Sequence, residues 1–413
     1  MAINDWQTCD PRLSVTRRGL LLGGALGVAG WLSQRSALSQ VALHPRGENR
    51  NILVVVFLRG GADGLSLLVP HGDDTYYRMR PNLSIPKSSL HNLDGFFGLH
   101  PAMAPLVPLY ESGTLAALHG VGSDDQTRSH FEAMNTMERG VARRDGPQSG
   151  WIARYLSATE SKHDSPMRAV AVGSTSPTSL FGASHATTFE NLADFRLKAP
   201  ATAHKSLESL YGRGEDEISS SGRDTFVVLR TLEKVDAAKY KPSHSAAYPD
   251  SDLGFGLKQV ACLVRADVGL EVACLDKGGW DTHVTQGGQV GWLPVQMGDL
   301  SKSLAAFATD MGPEMSRVTV VVMSEFGRRI AENAGLGTDH GHGGAMFTLG
   351  GGVKGGRVHA RWAGLDKPVG PGDVGVTTDY RDVLAEVLRK RMGLRDSGAV
   401  FAGYEPAPVG IFS

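Results

Sequence analysis

Five short stretches of the chain, falling on four loops, gather the side chains that bind metals or attack esters. GGADG carries Asp63, TRSHF carries Ser129 and His130, and WDTH carries Asp281 and His283. SEFGR carries Glu325, and TDHGHGG, residues 338–344, carries Asp339, His340 and His342. A carboxylate or imidazole withdrawn from water must find a partner, so a plain turn seldom concentrates so many. Mixed carboxylate and imidazole donors suit Zn, Mn or Fe, and a site rich in oxygen and poor in sulfur also admits Mg or Ca. Taken singly, each stretch has an ordinary reading as well. Asp63 is a favoured helix N-cap, Glu325 has Arg328 and Arg329 within reach for an ion pair, and Trp280 is a packing residue. Ser129 reads either as a cap or as a nucleophile at a helix N-terminus. His119 and His359 read as strand-end histidines without a role.

What lifts the set above its members is where the chain puts them. NILVVVFLRGG begins with an apolar run, residues 52–58, of the kind buried on both faces of a parallel sheet, and Asp63 stands just beyond it. HPAMAPLVPLYESG has helical spacing, TLAALHGVG is a short apolar strand, and Ser129-His130-Phe131 opens an amphipathic helix. LEVACLD reads as a strand ahead of KGGWDTHVTQGG, VQMGDLSKSLAAFATDMG as a helix, and RVTVVVMSEFGRR as another buried strand. DYRDVLAEVL supplies a last helix. Alternating strands and helices, with the chemistry in the loops after strands, predict an α/β fold with a largely parallel sheet and a site at the carboxyl ends of its strands. The middle, residues 151–256, lacks this rhythm and reads as a cap or insertion on the substrate side within a single α/β domain over residues 50–413.

Residues 16–30, TRRGLLLGGALGVAG, join the arginine pair Arg17-Arg18 to a mildly apolar run too short to span a bilayer with confidence. That layout predicts a twin-arginine signal peptide over residues 1–42 and a protein of the periplasm or extracellular space, handed to the twin-arginine translocon as a partner during export. The chain's formal net charge is −1, and taking away the four arginines and two aspartates before residue 43 leaves −3. With no basic patch, nucleic-acid binding is not expected. Cys262 and Cys274 are the cysteines beyond the leader, open to one disulfide or to two buried thiols.

In order, VVVFLRGGADGLSLLVP, LHPAMAPLVPLYESGTLAALHGVG, TRSHFEAM, GGWDTH, SEFGRR, DHGHGG and DYRDVLAEVL resemble the DUF1501 family of exported bacterial proteins, which is related to the alkaline phosphatase and sulfatase superfamily. The resemblance implies an alkaline-phosphatase-like α/β sandwich with a mixed, mostly parallel central sheet flanked by helices. It matches Asp63 to the superfamily's first carboxylate, Ser129 to its nucleophile, and Asp281 with His283 to one Asp/His pair. Glu325 falls where a second Asp-His pair begins, but the next residue is Phe326, which cannot bind a metal, and Asp63 sits later after its strand than the pattern expects. His340 or His342 would have to fill the vacancy.

The expectation is therefore an exported hydrolase, dependent on a divalent metal ion and acting on a small anionic phosphate or sulfate ester or on a cell-envelope substrate. Ser129 is its candidate nucleophile and Arg128 a clamp for the anion. Asp63, Asp281, His283, Glu325, Asp339, His340 and His342 are candidate ligands. They are more than one site needs, so some must orient ligating imidazoles instead. The alternative is a non-catalytic binding or assembly protein that reuses the fold. A serine hydrolase is disfavoured because the chain has no G-x-S-x-G elbow.

Overall fold

A computed structural model describes residues 51–142, 146–159, 165–184, 186–235 and 237–413; the leader with its arginine pair lies outside them. Its centre is a nine-stranded sheet. The strands are β1 (Ile52–Leu58), β2 (Leu115–Gly122), β3 (Ala169–Val172), β4 (Ala186–Phe189), β5 (Val272–Lys277), β6 (Val318–Ser324), β7 (Gly344–Gly350), β8 (Val358–His359) and β9 (Thr378–Asp379). They lie in the order β8-β2-β7-β6-β1-β5-β3-β4, with β9 also on β2. β1 pairs in parallel with β5 and β6, and β3 in parallel with β4 and β5. β7 alone among these is reversed, antiparallel to both β6 and β2. The sheet is thus mixed and mostly parallel, with helices on both faces.

β1 shows why the interior has two layers. Period-two alternation sends Ile52, Val54, Val56 and Leu58 to one apolar cluster, shared with Val260 of α5 (Asp252–Ala266) and Leu304 of α6 (Trp292–Met311). Leu53, Val55 and Phe57 go to the other, shared with Ile152 of α2 (Trp151–Ala158) and Val383 of α7 (Tyr380–Lys390). A strand covered on both sides has to be apolar throughout, and the uninterrupted sequence ILVVVFL meets that need.

Residues 151–256 do more than cover the sheet: β3 and β4 extend it, and α3 (Ala201–Tyr211) and α4 (Glu217–Val235) follow. Cys262 and Cys274 are both buried and free, which settles that pair as thiols. No helix of the described residues is long and apolar enough to cross a membrane.

Candidate metal centre

The parallel strands β1, β5 and β6 end at one edge of the sheet, and there the chain turns sharply. Gly60 has φ +121°, and a Cβ on it would lie 2.5 Å from the backbone nitrogen of Asp281, so the loops after β1 and β5 touch only because Gly60 has no side chain. β7 runs the other way, so its amino end reaches this same edge and delivers the loop carrying Asp339 and His340. α1 (His130–Arg139) follows β2, ends on the left-handed Gly140, and is tied to the end of β1 through Glu138, which accepts from Arg59 at 2.9 Å. That anchor holds its first residue, His130, over the edge.

Three imidazoles converge there on one carboxylate oxygen. Asp281 Oδ1 lies 3.0 Å from His283 Nε2, 3.2 Å from His340 Nε2 and 3.4 Å from His130 Nε2. The donor atoms of His130, Asp281 and His340 all lie within 4.8 Å of one another, close enough for one ion. His283 joins them through a 2.8 Å contact between its Nε2 and that of His340.

The far nitrogens account for the ring orientations. His130 Nδ1 is 2.7 Å from Glu325 Oε1, His340 Nδ1 is 2.8 Å from the Arg128 carbonyl, and His283 Nδ1 is 3.4 Å from Asp339 Oδ1. An oxygen beside each Nδ1 calls for the proton there and leaves each Nε2 a lone pair facing the centre. Two lone pairs at 2.8 Å repel unless something positive lies between or beside them. His130 Nε2 is in addition buried with no hydrogen-bond partner. His130, Asp281 and His340 therefore fit a metal ion, each ring held from behind, with His283 beside them, its Nε2 also 3.5 Å from Arg328 Nη1.

Burial tends to raise the pKa of Asp281, but the hydrogen bond and the charge of Arg328 bring it down to about 2. The hydrogen bond to Glu325 raises His130, whereas burial lowers His340. Glu325 itself is held below the usual carboxylate range: burial works against this, but its bond to His130 and those from backbone amides, among them Gly60 N–H at 2.8 Å, prevail.

Several expectations are corrected here. Glu325 pairs with neither Arg328 nor Arg329, because its position under α1 turns it to His130. Arg328 goes instead to Asp281 Oδ1, at 2.7 Å. Asp63 stays out of the centre: its carboxylate is fully buried, takes two bonds from Arg80 at 2.6 and 3.0 Å, and accepts further from Ser66 and Gln286. It does not cap the short helix after it through its side chain either. His342 turns away, with Nε2 2.7 Å from the Ser123 carbonyl. The Arg128 guanidinium binds Asp373 through Nε at 3.1 Å and through Nη2, so Arg128 meets the centre by its carbonyl oxygen. Ser129 is the N-cap residue of α1, and its hydroxyl makes no cap bond. Phe326 closes one side of the centre, its ring 4.9 Å from those of both His130 and His340.

Sequence reasoning put His130 beside Ser129 without counting it as a ligand. The available signal was its place at the start of a helix following a strand, the same placement that marked Ser129. Arg80 and Asp373 went unnoticed, and Arg328 was read only as a partner for Glu325, since nothing local announces their partners.

A family model described as "Protein of unknown function (DUF1501)" matches residues 50–409. The chain belongs to the DUF1501 family. No curated protein matches the sequence significantly. Among solved structures, BT1596, a 2-O GAG sulfatase, is similar at 10% identity and a TM-score of 0.32, over 74% of this chain and 65% of its own, so this DUF1501 chain spans just under two-thirds of the sulfatase. The lipoteichoic acid synthase LtaP from Listeria monocytogenes is similar at 8% identity and a TM-score of 0.27, over 83% of this chain and 73% of its own. Likeness this weak carries no weight for the chemistry of a DUF1501 protein, and the mixed sheet rests on its own strand pairing.

Proposed function

We propose that the protein is an exported, metal-dependent hydrolase of phosphate or sulfate esters, with His130, His283, His340 and Asp281 holding the metal. The observation that carries this is the convergence of three Nε2 atoms on Asp281 Oδ1, each ring fixed from behind by an oxygen. A divalent ion bound there would supply Lewis acidity toward an ester oxygen and make a bound water a stronger acid. The chain's own part is orientation: Glu325, Asp339 and the Arg128 carbonyl keep the imidazoles in one tautomer, and Phe326 excludes water from one side. Ser129, next to His130 and with its hydroxyl free of a cap bond, is the candidate nucleophile. Export rests on the twin-arginine pattern of the leader, and the ester class on the resemblance set out from sequence.

The experiment is elemental analysis of protein exported through its own leader, before and after a chelator, beside His283→Ala and His340→Ala. Bound divalent metal that both variants lose supports the centre; protein isolated without metal sinks it. Phosphate and sulfate esters are then screened, with chelator and vanadate expected to inhibit.

A second reading, a binding protein that has given up catalysis, is favoured by Phe326 in the place of a ligand and by the locked Asp63. In that case Ser129→Ala leaves partner affinity intact and no ester is turned over.

A further inference from the structure

Arg328 is the least expected neighbour of this centre. Its guanidinium is fully buried, yet it sits 2.7 Å from the oxygen that faces all three imidazoles. It is also locked. Nε donates to Gly61 O at 2.6 Å, Nη1 to Thr338 O at 2.8 Å, and Nη2 to Gly60 O at 2.5 Å and to Trp280 O at 3.2 Å, besides Asp281. With Nη1 also 3.5 Å from His283 Nε2, its N–H groups all face acceptors on three loops, so this residue has no donor left to offer a substrate and no freedom to leave.

A carboxylate oxygen has about two lone-pair directions, and Arg328 occupies one on Asp281 Oδ1. On that oxygen one remains for a metal. Of the other carboxylates that the family resemblance offers to metals, Asp63 is filled on both oxygens by the buried guanidinium of Arg80, and Glu325 is turned to His130 Nδ1 and Ser324. The apolar ring of Phe326 lies against His130 and His340. On those sides a second divalent ion would meet either a permanent positive charge or a hydrocarbon wall.

Resting on the metal reading above, we infer that the centre is mononuclear, with Arg328 as a built-in second cation that shares Asp281 with the one metal. Arg328 is a positioning residue: it joins the loops after β1, β5 and β6 and partly neutralises Asp281 as a ligand. Asp281 consequently contributes less to metal affinity than a bare carboxylate, and the imidazoles contribute most.

The test is metal stoichiometry and affinity, measured by equilibrium dialysis of the whole protein against Mn²⁺ or Zn²⁺ in excess. One equivalent is expected. Two equivalents overturn the inference while leaving the metal reading standing, and none overturns the reading on which it rests. Asp281→Asn, which keeps an acceptor for Arg328, raises the dissociation constant about tenfold or less, against more than about a hundredfold for His340→Ala. Equal losses in the two variants would show Asp281 acting as an uncompensated ligand and overturn the inference. Arg328→Lys keeps one equivalent, whereas Arg328→Gln, once its melting profile shows it folded, takes up more than one. A folded Arg328→Gln that stays at one, with unchanged affinity, also overturns it; if that variant does not fold, the Asp281→Asn comparison decides.

Discussion

GGADG and GGWDTH look like the same device: two glycines after a parallel strand, one spacer, and an aspartate. Each aspartate then receives a fully buried guanidinium, Arg80 on Asp63 and Arg328 on Asp281. What separates them is access to solvent. The Asp63 side chain is 0% exposed, with Arg80, Ser66 and Gln286 on its oxygens; that of Asp281 is 49% exposed, with three imidazoles facing it. A buried carboxylate must have its hydrogen bonds satisfied inside the protein, and one so satisfied has little left to bind. The half-exposed one can afford partners whose valences are incomplete. The same local pattern therefore yields a structural pin at one loop and a ligand at the next.

Stability should divide the two loops most sharply. Arg80→Met strands the Asp63 charge in the interior and is expected to cost about 3–5 kcal/mol in urea unfolding; a loss as small as that of Asp281→Asn would erase the contrast. Metal content should divide them the other way. His340→Ala loses about 2.7 kcal/mol or more of metal binding, a hundredfold in affinity, with the metal-free protein melting close to the unaltered one. One shell out, Glu325→Gln is expected to weaken metal binding about tenfold to a hundredfold, the usual cost of loosening a ligating histidine, and measured affinity equal to wild type would remove Glu325 from that role.

Acid offers a gentler probe. Against the pull of burial, the charge and hydrogen bonds of Arg80 hold the Asp63 pKa below its unfolded value of about 3.9. Its contribution is therefore whole above that pH and is lost as the pH falls through the lower, folded value. Stability followed below about pH 4 should fall less steeply in Asp63→Asn than in the unaltered chain, once the offset at neutral pH is removed. At the small end, His342→Ala should leave the metal content untouched, because its ring is spent on the Ser123 carbonyl.

The sheet was legible where burial on both faces forces an unbroken apolar run: β1 was read as residues 52–58 and forms over Ile52–Leu58. The reversal of β7 was not, since GAMFTLG is buried throughout and direction leaves no trace in composition. In the site, Asp281, His283 and His340 stood out because they sit in glycine-flanked loops after or beside strands. Whether Asp63 belonged with them could not be read, because its fate depends on Arg80, 17 residues on, and Gln286, 223 residues on. Long-range partners of this kind are fixed by topology, and local pattern does not encode them. His130 hid for a related reason: the start of α1 is visible in sequence, but the point over which it hangs is not.

The centre also has a temporal meaning. His130 and Glu325 stand 195 residues apart, and Asp281 and His340 are separated by 59. Closing such long loops is the late and costly part of folding. No fragment of the chain, nascent or unfolded, can assemble the donor set, so occupancy of the centre would serve as a certificate that the polypeptide has finished folding, issued only after β1, β5, β6 and β7 have all found their neighbours.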